Sequence, residues 1–169
     1  IYEAIRAALP ELLPLAQIVH ISGYEDYATL EKLRSELSAD LRARYHLFSY
    51  LYERMTDALV AADLAVARAG AATLGEFPAV GLPAVLVPYP YAGQHQEVNA
   101  RYLAERGAAV ILPDAELGLR LLPLLQDLLR NATRLQHMRA ASQALAVPDA
   151  AERIADALAA LAQGKASSS

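Results

Sequence analysis

The segment "RAGAATLGE" (residues 68–76) combines an arginine, a glycine turn, a run of small residues and a carboxylate. Gly70 permits a sharp turn, and the small residues 71–73 leave the backbone N–H groups of a starting helix accessible. Such a helix start favours an anion, most simply a diphosphate. Glu76, expected in the second helical turn, can accept hydrogen bonds from both hydroxyls of a ribose. The segment predicts a nucleotide diphosphate site, and the alternative is a solvated glutamate beside a structural turn.

A second segment, "YPYAGQHQEVNARYL" (residues 89–103), follows another apolar run and opens another predicted helix. Gln96 and Asn99 are three residues apart and share one helix face, with His95 beside them in the first turn. Amide side chains both donate and accept hydrogen bonds, which suits the hydroxyls of a sugar. No matched acid or nucleophile accompanies His95, so we assign it to positioning. A loop followed by a helix cap is the alternative interpretation.

Other chemical signals are weaker. His20 ends the apolar run in "VHISG", where a lone histidine is more often structural than functional. The four histidines, at positions 20, 46, 95 and 137, do not have the spacing of metal ligands. The absence of GxGxxG, Walker and GxSxG motifs argues against a self-contained dehydrogenase, P-loop NTPase or hydrolase.

Composition narrows the functional class. The 169 residues carry a net charge of -4 and no cysteine, and 55% of them are hydrophobic. An acidic chain does not attract a phosphate backbone, so we expect no nucleic acid partner. Charges or prolines interrupt the apolar stretches before they reach the length of a membrane span. We expect a soluble protein that is at most peripheral to a bilayer. A cytoplasmic location is compatible with this composition.

The elements that position these residues alternate along the chain. Apolar runs predict strands at 17–21, 64–67, 84–89 and 108–112, with a further short strand in "HLF". Helices are expected from the first residue to Pro10 and Pro14, up to Asp63, over about 72–80 and 94–106, and through the last third. The candidate N-caps of the last third are Asp114, Asn131 or Thr133, and Asp149. This alternation predicts an α/β fold, a Rossmann-like parallel sheet of four or five strands with helices on both faces.

Residues 62–112 carry the ordered pattern "RAGA…E…GLP…VP…HQ…NA…GAA", and "ALPELLP" with "QIVHISG" extends it toward the start. This order resembles the carboxyl-terminal, donor-binding half of the MurG family of glycosyltransferases. That family transfers N-acetylglucosamine (GlcNAc) from UDP-GlcNAc to a lipid-linked muramoyl-pentapeptide, converting lipid I to lipid II in peptidoglycan synthesis. The resemblance implies half of a GT-B fold, in which two Rossmann-like domains face a cleft.

The resemblance also implies roles for individual residues. The loop and helix start would lie beneath the donor, with Glu76 bound to the ribose. They comprise Ala71, Ala72, Thr73, Leu74, Gly75 and Glu76. Gln96, with His95 and Asn99 nearby, would hold the GlcNAc hydroxyls. Tyr52 matches a position that contacts uracil through backbone groups, so its side-chain identity need not matter. Arg68 would support the loop from below.

The family mechanism is inverting and independent of metal, so the resemblance implies no cofactor. It implies a donor domain over residues 1–163 and a disordered tail over 164–169. The first strand, the acceptor-binding amino-terminal domain and the candidate catalytic base would lie outside this chain, which alone is expected to be inactive. In the complete protein the acceptor would be lipid-linked, with peripheral contact at the cytoplasmic face of the membrane. The alternatives are a UDP-sugar transferase with another acceptor and a noncatalytic nucleotide-sugar-binding module.

Overall fold

The computed structural model describes residues 1–91 and 95–162, in which short parallel strands are flanked by helices. The strands are β1 (Ile18–Ile21), β2 (Tyr45–Phe48), β3 (Ala65–Ala67), β4 (Ala84–Leu86) and β5 (Ala109–Ile111). β1 pairs with β2 in one sheet, and a second sheet has the order β3-β4-β5. Every pairing is parallel, so the carboxyl ends of neighbouring strands share one edge.

Helices connect these strands and cover the sheets. The α-helices are α1 (Tyr2–Leu12), α2 (Gly23–Glu36), α3 (Ala39–Ala43), α4 (Met55–Ala61), α5 (Thr73–Val80), α6 (His95–Glu105), α7 (Leu117–Arg130), α8 (Ala132–Gln143) and α9 (Ala150–Ala162). Two short 3₁₀ helices, Tyr52–Arg54 and Asp114–Glu116, precede α4 and α7. Helical connections between parallel strands are the crossovers that such pairing requires.

The central strand β4 divides the core of its sheet into two layers. Val85 belongs to a buried cluster with Leu121 and Leu128 of α7. Leu86, the next residue, belongs to a second cluster with Phe77 of α5 and Leu103 of α6. Successive strand side chains point to opposite faces, so an uninterrupted apolar strand requires helices on both sides. The predicted fold class, a parallel α/β arrangement with helices on both faces, is confirmed.

Helix α1 joins the two sheets. Its residues Ala8 and Leu12 are buried in the cluster around β4 and α7. Its residues Leu9 and Leu13, the latter at the helix end, are buried with Tyr45 of β2. A helix displays different faces to different neighbours because residues three and four apart align along its surface.

Three details differ from the expectation raised by the sequence. The strands form two sheets where one open sheet was expected. The third apolar run continues to residue 89, but β4 ends at Leu86, although the N–H of Val87 still donates to the carbonyl of Ala67 at 2.9 Å. Pro10 lies inside α1, which continues to Leu12 because Leu9 and Leu12 are both buried.

Of the candidate N-caps, Asn131 is confirmed, since its side chain accepts a hydrogen bond from the backbone of Arg134 at 3.0 Å. Asp114 does not cap α7. It opens the 3₁₀ helix that precedes α7, and its carboxylate is paired with Arg68. Asp149 directly precedes α9, in agreement with its predicted place at a helix start.

Candidate functional site

The candidate site lies at the carboxyl edge of the β3-β4-β5 sheet. Strand β3 ends at Ala67, and the loop 68–72 leads directly into α5. Ala69 is fully buried, whereas Ala71 and Ala72 are exposed, so the loop is anchored at one end and open at the other. The amino end of α5 therefore stands at the edge where parallel α/β sheets bind their ligands.

The loop offers fewer free backbone donors than the sequence predicts. The Thr73 N–H donates to the carbonyl of Gly70 at 3.1 Å, and the Thr73 hydroxyl donates to the same carbonyl at 2.7 Å. The expectation of a free amide at Thr73 is therefore wrong, because the turn itself uses that amide. Within the described ranges, the amides of Ala71 and Ala72 have no hydrogen-bond acceptor. These two donors remain available to an anion.

Glu76 is the fourth residue of α5, so it lies in the first turn and not in the expected second turn. Its side chain is exposed, and it forms no hydrogen bond or ion pair with any other residue of the described ranges. The first turn places this carboxylate near the positive end of the helix dipole. No described residue occupies either carboxylate oxygen, so both can accept hydrogen bonds from a ligand at this edge.

Arg68 links the segments that follow the three strands of this sheet. Its guanidinium forms an ion pair with Asp114 and donates to the backbone carbonyls of Val87 at 3.3 Å and Pro88 at 3.4 Å. The same group lies 5.1 Å from the centre of the Tyr89 ring, a cation–π contact. These partners follow β4 and β5, while Arg68 follows β3. Arg68 thus connects the start of the loop to the segments that follow β4 and β5.

Two of the predicted sugar-binding side chains of α6 contact the backbone of neighbouring loops. The Asn99 amide donates to the carbonyl of Ala69 at 3.0 Å, which ties α6 to the start of the loop. The Gln96 carbonyl oxygen accepts from the backbone N–H of Tyr89 at 2.9 Å. His95, the first residue of α6, is exposed. Gln94, where the sequence places the start of this helix, lies outside the described residues.

Tyr52 stands at the other sheet, just after β2. It opens a 3₁₀ helix with a φ of 43°, and within the described ranges it is the one residue other than glycine with a positive φ. Its side chain is exposed, and its hydroxyl is hydrogen-bonded to the hydroxyl of Tyr24 at the start of α2. The ring of Tyr50 packs edge-on against it, with 4.6 Å between ring centroids.

Two residues at this second edge were missed by the sequence reasoning. Ser22 directly follows β1, and its hydroxyl donates to the carbonyls of Gly23 at 2.8 Å and Phe48 at 3.3 Å. Tyr24 follows in the first turn of α2. The signal for both was the "SG" pair immediately after a short apolar run, the same turn chemistry that singled out Gly70.

His20 has a structural role in this arrangement. Its Nδ1 lies 2.8 Å from the hydroxyl of the buried Tyr45 on the neighbouring strand. Burial lowers the pKa of His20, while Asp26 acts in the opposite direction. Burial also raises the pKa of Tyr45 to about 12. The neutral forms of both groups therefore predominate near pH 7, and the contact is a hydrogen bond between two neutral side chains.

The described residues contain no group of three or more His, Cys, Asp or Glu side chains arranged to hold a metal ion. Among the helices of residues 1–91 and 95–162, none is both long and apolar enough to span a membrane.

Sequence comparison defines the class of protein. Residues 2–154 match the glycosyltransferase family 28 C-terminal domain, which covers most of the chain. The chain therefore belongs to this glycosyltransferase family.

Individual relatives carry a more specific name. Over 175 aligned residues the chain is 46% identical to the UDP-N-acetylglucosamine–N-acetylmuramyl-(pentapeptide) pyrophosphoryl-undecaprenol N-acetylglucosamine transferase of Roseiflexus sp.. The protein of the same name from Desulforamulus reducens is 45% identical over 140 residues. These alignments cover 92% and 79% of the chain but only 39% and 37% of the two relatives. The chain thus spans about two fifths of the length of the curated relatives it matches.

A solved structure supports the same assignment. The crystal structure of Acinetobacter baumannii MurG superposes with a TM-score of 0.75 at 30% sequence identity. The match covers 92% of this chain and 45% of the MurG chain. The predicted membership of the MurG family and the predicted half of a GT-B fold are confirmed by these likenesses.

Proposed function

We propose that this chain is the donor-binding half of a glycosyltransferase that moves GlcNAc from UDP-GlcNAc to a lipid-linked muramoyl-pentapeptide. The names of its relatives support the donor and the class of acceptor. The observation that carries the proposal is the amino end of α5 at the carboxyl edge of β3. There the amides of Ala71 and Ala72 lie within a turn of the carboxylate of Glu76, and none of these groups has a hydrogen-bond partner among residues 1–91 and 95–162.

The donor diphosphate binds at the open end of the loop 68–72. The amides of Ala71 and Ala72 donate to phosphate oxygens, and the helix dipole of α5 adds a positive potential. Ala71, Ala72 and Gly75 are small and exposed, which leaves room for the ligand. Leu74 and Thr73 are less exposed and secure the first helical turn.

Glu76 accepts hydrogen bonds from the two ribose hydroxyls, which fixes the nucleoside relative to the diphosphate. On the other side of the loop, α6 supplies groups for the sugar. The Gln96 amide nitrogen can donate to a hydroxyl, since the Gln96 carbonyl oxygen, which accepts from Tyr89, is the one group of this side chain with a partner in the described part of the chain. His95 is exposed beside it. Asn99 acts through the loop, since its amide nitrogen already holds Ala69.

In the transfer step, an acceptor hydroxyl attacks the anomeric carbon of GlcNAc in line with the departing group. The bond from that carbon to the β-phosphate oxygen breaks, and UDP leaves with the electron pair. The loop amides and the dipole of α5 stabilise the charge that develops on UDP. This electrostatic role can be performed without a metal ion. The residues that bind the acceptor and accept its proton belong to the remainder of the complete protein, which contacts the cytoplasmic membrane surface.

The ribose assignment is tested by calorimetric titration of UDP-GlcNAc into wild type and Glu76→Ala. We expect the substitution to weaken binding by roughly 1 to 3 kcal/mol, since it leaves ribose hydroxyls without an acceptor. Glu76→Gln retains one acceptor oxygen and should lie between the two.

The matched control is Glu105→Ala, which removes the same charge from an exposed position at the far end of α6. Glu105→Ala should bind UDP-GlcNAc like wild type. Equal affinities of wild type and Glu76→Ala would show that Glu76 is not part of the site. If Glu105→Ala weakens binding as much as Glu76→Ala does, the effect of Glu76→Ala is one of net charge alone.

A further inference from the structure

The ion pair of Arg68 and Asp114 is better shielded from water than the other ion pairs of residues 1–91 and 95–162. Both of its side chains are at most 35% exposed, whereas every other pair has a member that is at least 41% exposed. The pair joins the segments that follow β3 and β5. Water screens a partly buried pair less than a fully exposed one, so this contact can hold its two side chains in place.

The carboxylate of Asp114 shares one nitrogen of Arg68 with two backbone carbonyls. The Nη1 atom of Arg68 donates to Asp114, and it lies 3.3 Å from the carbonyl oxygen of Val87 and 3.4 Å from that of Pro88. These two distances are long for a hydrogen bond, while the bond to the carboxylate is charge-assisted and therefore the strongest of the three. Asp114 thus determines where Nη1 lies.

The peptide group between Pro88 and Tyr89 connects Arg68 to Gln96. Its carbonyl, that of Pro88, accepts from Arg68, and its N–H, that of Tyr89, donates to the Gln96 carbonyl oxygen at 2.9 Å. In a trans peptide the C=O and N–H bonds point in opposite directions, so a partner on one side fixes what the other side presents. The Arg68 guanidinium also lies 5.1 Å from the centre of the Tyr89 ring, which holds the same residue a second time.

The direction of this peptide group decides which end of the Gln96 amide a ligand meets. A backbone N–H can only donate, so it binds the carbonyl oxygen of Gln96 and leaves the NH₂ group for the ligand. If the peptide group turned over, the Pro88 carbonyl would bind the NH₂ group instead. Gln96 would then present an acceptor where it now presents two donors.

We propose that Asp114 is a positioning residue for the sugar of the donor, acting through Arg68 and the Pro88–Tyr89 peptide group on the Gln96 amide. This inference rests on the proposed function and extends it, because the family resemblance gives Arg68 only the support of the loop. Asp114 and the peptide group are the new participants. A side chain whose hydrogen-bonding direction is set before the ligand arrives costs less ordering on binding.

The test compares the affinities of UDP-GlcNAc and UDP for the full chain, measured by calorimetry. Asp114→Ala should lower the affinity for UDP-GlcNAc relative to UDP by about two- to tenfold, the range that one hydrogen bond contributes. Both ligands carry the diphosphate, so the change in protein charge cancels in this ratio. A merely structural role would lower the thermal stability and leave the ratio unchanged. Asp114→Glu keeps a carboxylate and should restore most of the ratio.

A second readout follows the peptide group itself. The amide hydrogen of Tyr89 should exchange with deuterium faster in Asp114→Ala than in wild type, because its bond to Gln96 is no longer held. Circular dichroism verifies that each variant is folded. If Asp114→Ala does not fold, Asp114→Asn takes its place, since it keeps the shape of the side chain and removes the charge.

A double-mutant cycle with Gln96→Ala shows whether Asp114 acts through Gln96. Gln96→Ala should itself lower the ratio, and adding Asp114→Ala should then produce no further fall. The matched control is Asp127→Ala, which removes the same charge from an ion pair between α7 and α8, that of Asp127 with Arg134. This control should leave the ratio at its wild-type value.

An unchanged ratio in folded Asp114→Ala overturns the proposal, and so does an equal fall in Asp127→Ala. A full additional fall in the Gln96→Ala background also overturns it, because Asp114 would then act by another route. If Glu76→Ala still weakens UDP-GlcNAc binding, each of these results leaves the proposed donor site intact. If wild type binds neither ligand, the proposed function and the positioning role both fail.

Discussion

At the scale of single residues, hydrogen bonding separates groups that are available to a ligand from groups that hold the fold. Thr73 uses both its amide and its hydroxyl on Gly70, whereas Glu76, three residues later, has no partner in the described chain. Like Thr73, Asn99 and Arg68 donate hydrogen bonds to backbone carbonyls around the loop. Polar residues of similar appearance in the sequence therefore divide into a binding group and a supporting group.

His20 provides a prediction about pH at this scale. Because burial lowers its pKa below the unfolded value, the unfolded chain binds more protons in the window between the two pKa values. The stabilising contribution is thus complete above the unfolded pKa, near 6.5, and is lost as the pH falls through the folded pKa. Urea unfolding at pH 7.5 and 5.5 should show a larger loss of stability for wild type than for His20→Gln. Equal losses in both proteins would contradict this origin.

At the scale of elements, the end of α5 shows how a local conformation determines where the next strand begins. Gly81 has a φ of 63° and terminates the helix in the left-handed conformation, with its N–H returning to Pro78. Leu82 and Pro83 then lead directly into β4. The helix that carries Glu76 and the central strand of the sheet are therefore connected by a single turn that depends on Gly81.

Gly81→Ala should destabilise the protein by about 1 kcal/mol, because alanine pays for the left-handed conformation and its β-carbon would lie 3.4 Å from that of Gln143. The control is Gly118→Ala, in the first turn of α7, where an added β-carbon meets no atom within 4 Å. Helix propensity predicts that Gly118→Ala leaves stability equal or raises it by up to about 1 kcal/mol. Thermal unfolding of both variants decides, and a Gly81→Ala protein as stable as wild type would contradict the role of the turn.

At the scale of the whole molecule, α1 and α7 join the two sheets into one structure. Helix α7 packs against β4, α1 and α8 through buried leucines at helical spacing. These leucines are Leu117, Leu121, Leu125 and Leu128. Helix α1 is shared between this cluster and the one around β2. The sheet edges that carry Glu76 and Tyr52 therefore depend on the packing of α1 and α7 in the two cores.

Leu128→Ala should lower the free energy of unfolding by about 2 to 5 kcal/mol, since Leu128 is fully buried and its removal leaves a cavity. Leu119→Ala is the control on the same helix, because Leu119 is 84% exposed. Its effect should be within about 0.5 kcal/mol of zero. Chemical denaturation measures both changes, and similar values for the two variants would be inconsistent with this core.

The sequence alone determined the order and type of the elements around the site. Apolar runs bounded by glycine and proline predicted the strands, and "RAGAATLGE" placed a small-residue loop and Glu76 at a helix start. These features are local, since they depend on backbone freedom and on the period of hydrophobic residues. The family pattern over residues 62–112 was readable for the same reason.

Only the tertiary structure decided which polar groups are free and which distant residues meet. The pairing of Arg68 with Asp114 and the gathering of Tyr24 with Tyr50 and Tyr52 depend on strand order. The division of the strands into two sheets, bridged by α1, also has no local signal. Such contacts join residues far apart in the chain, and hydrophobic periodicity specifies which face of an element is buried but not its neighbour.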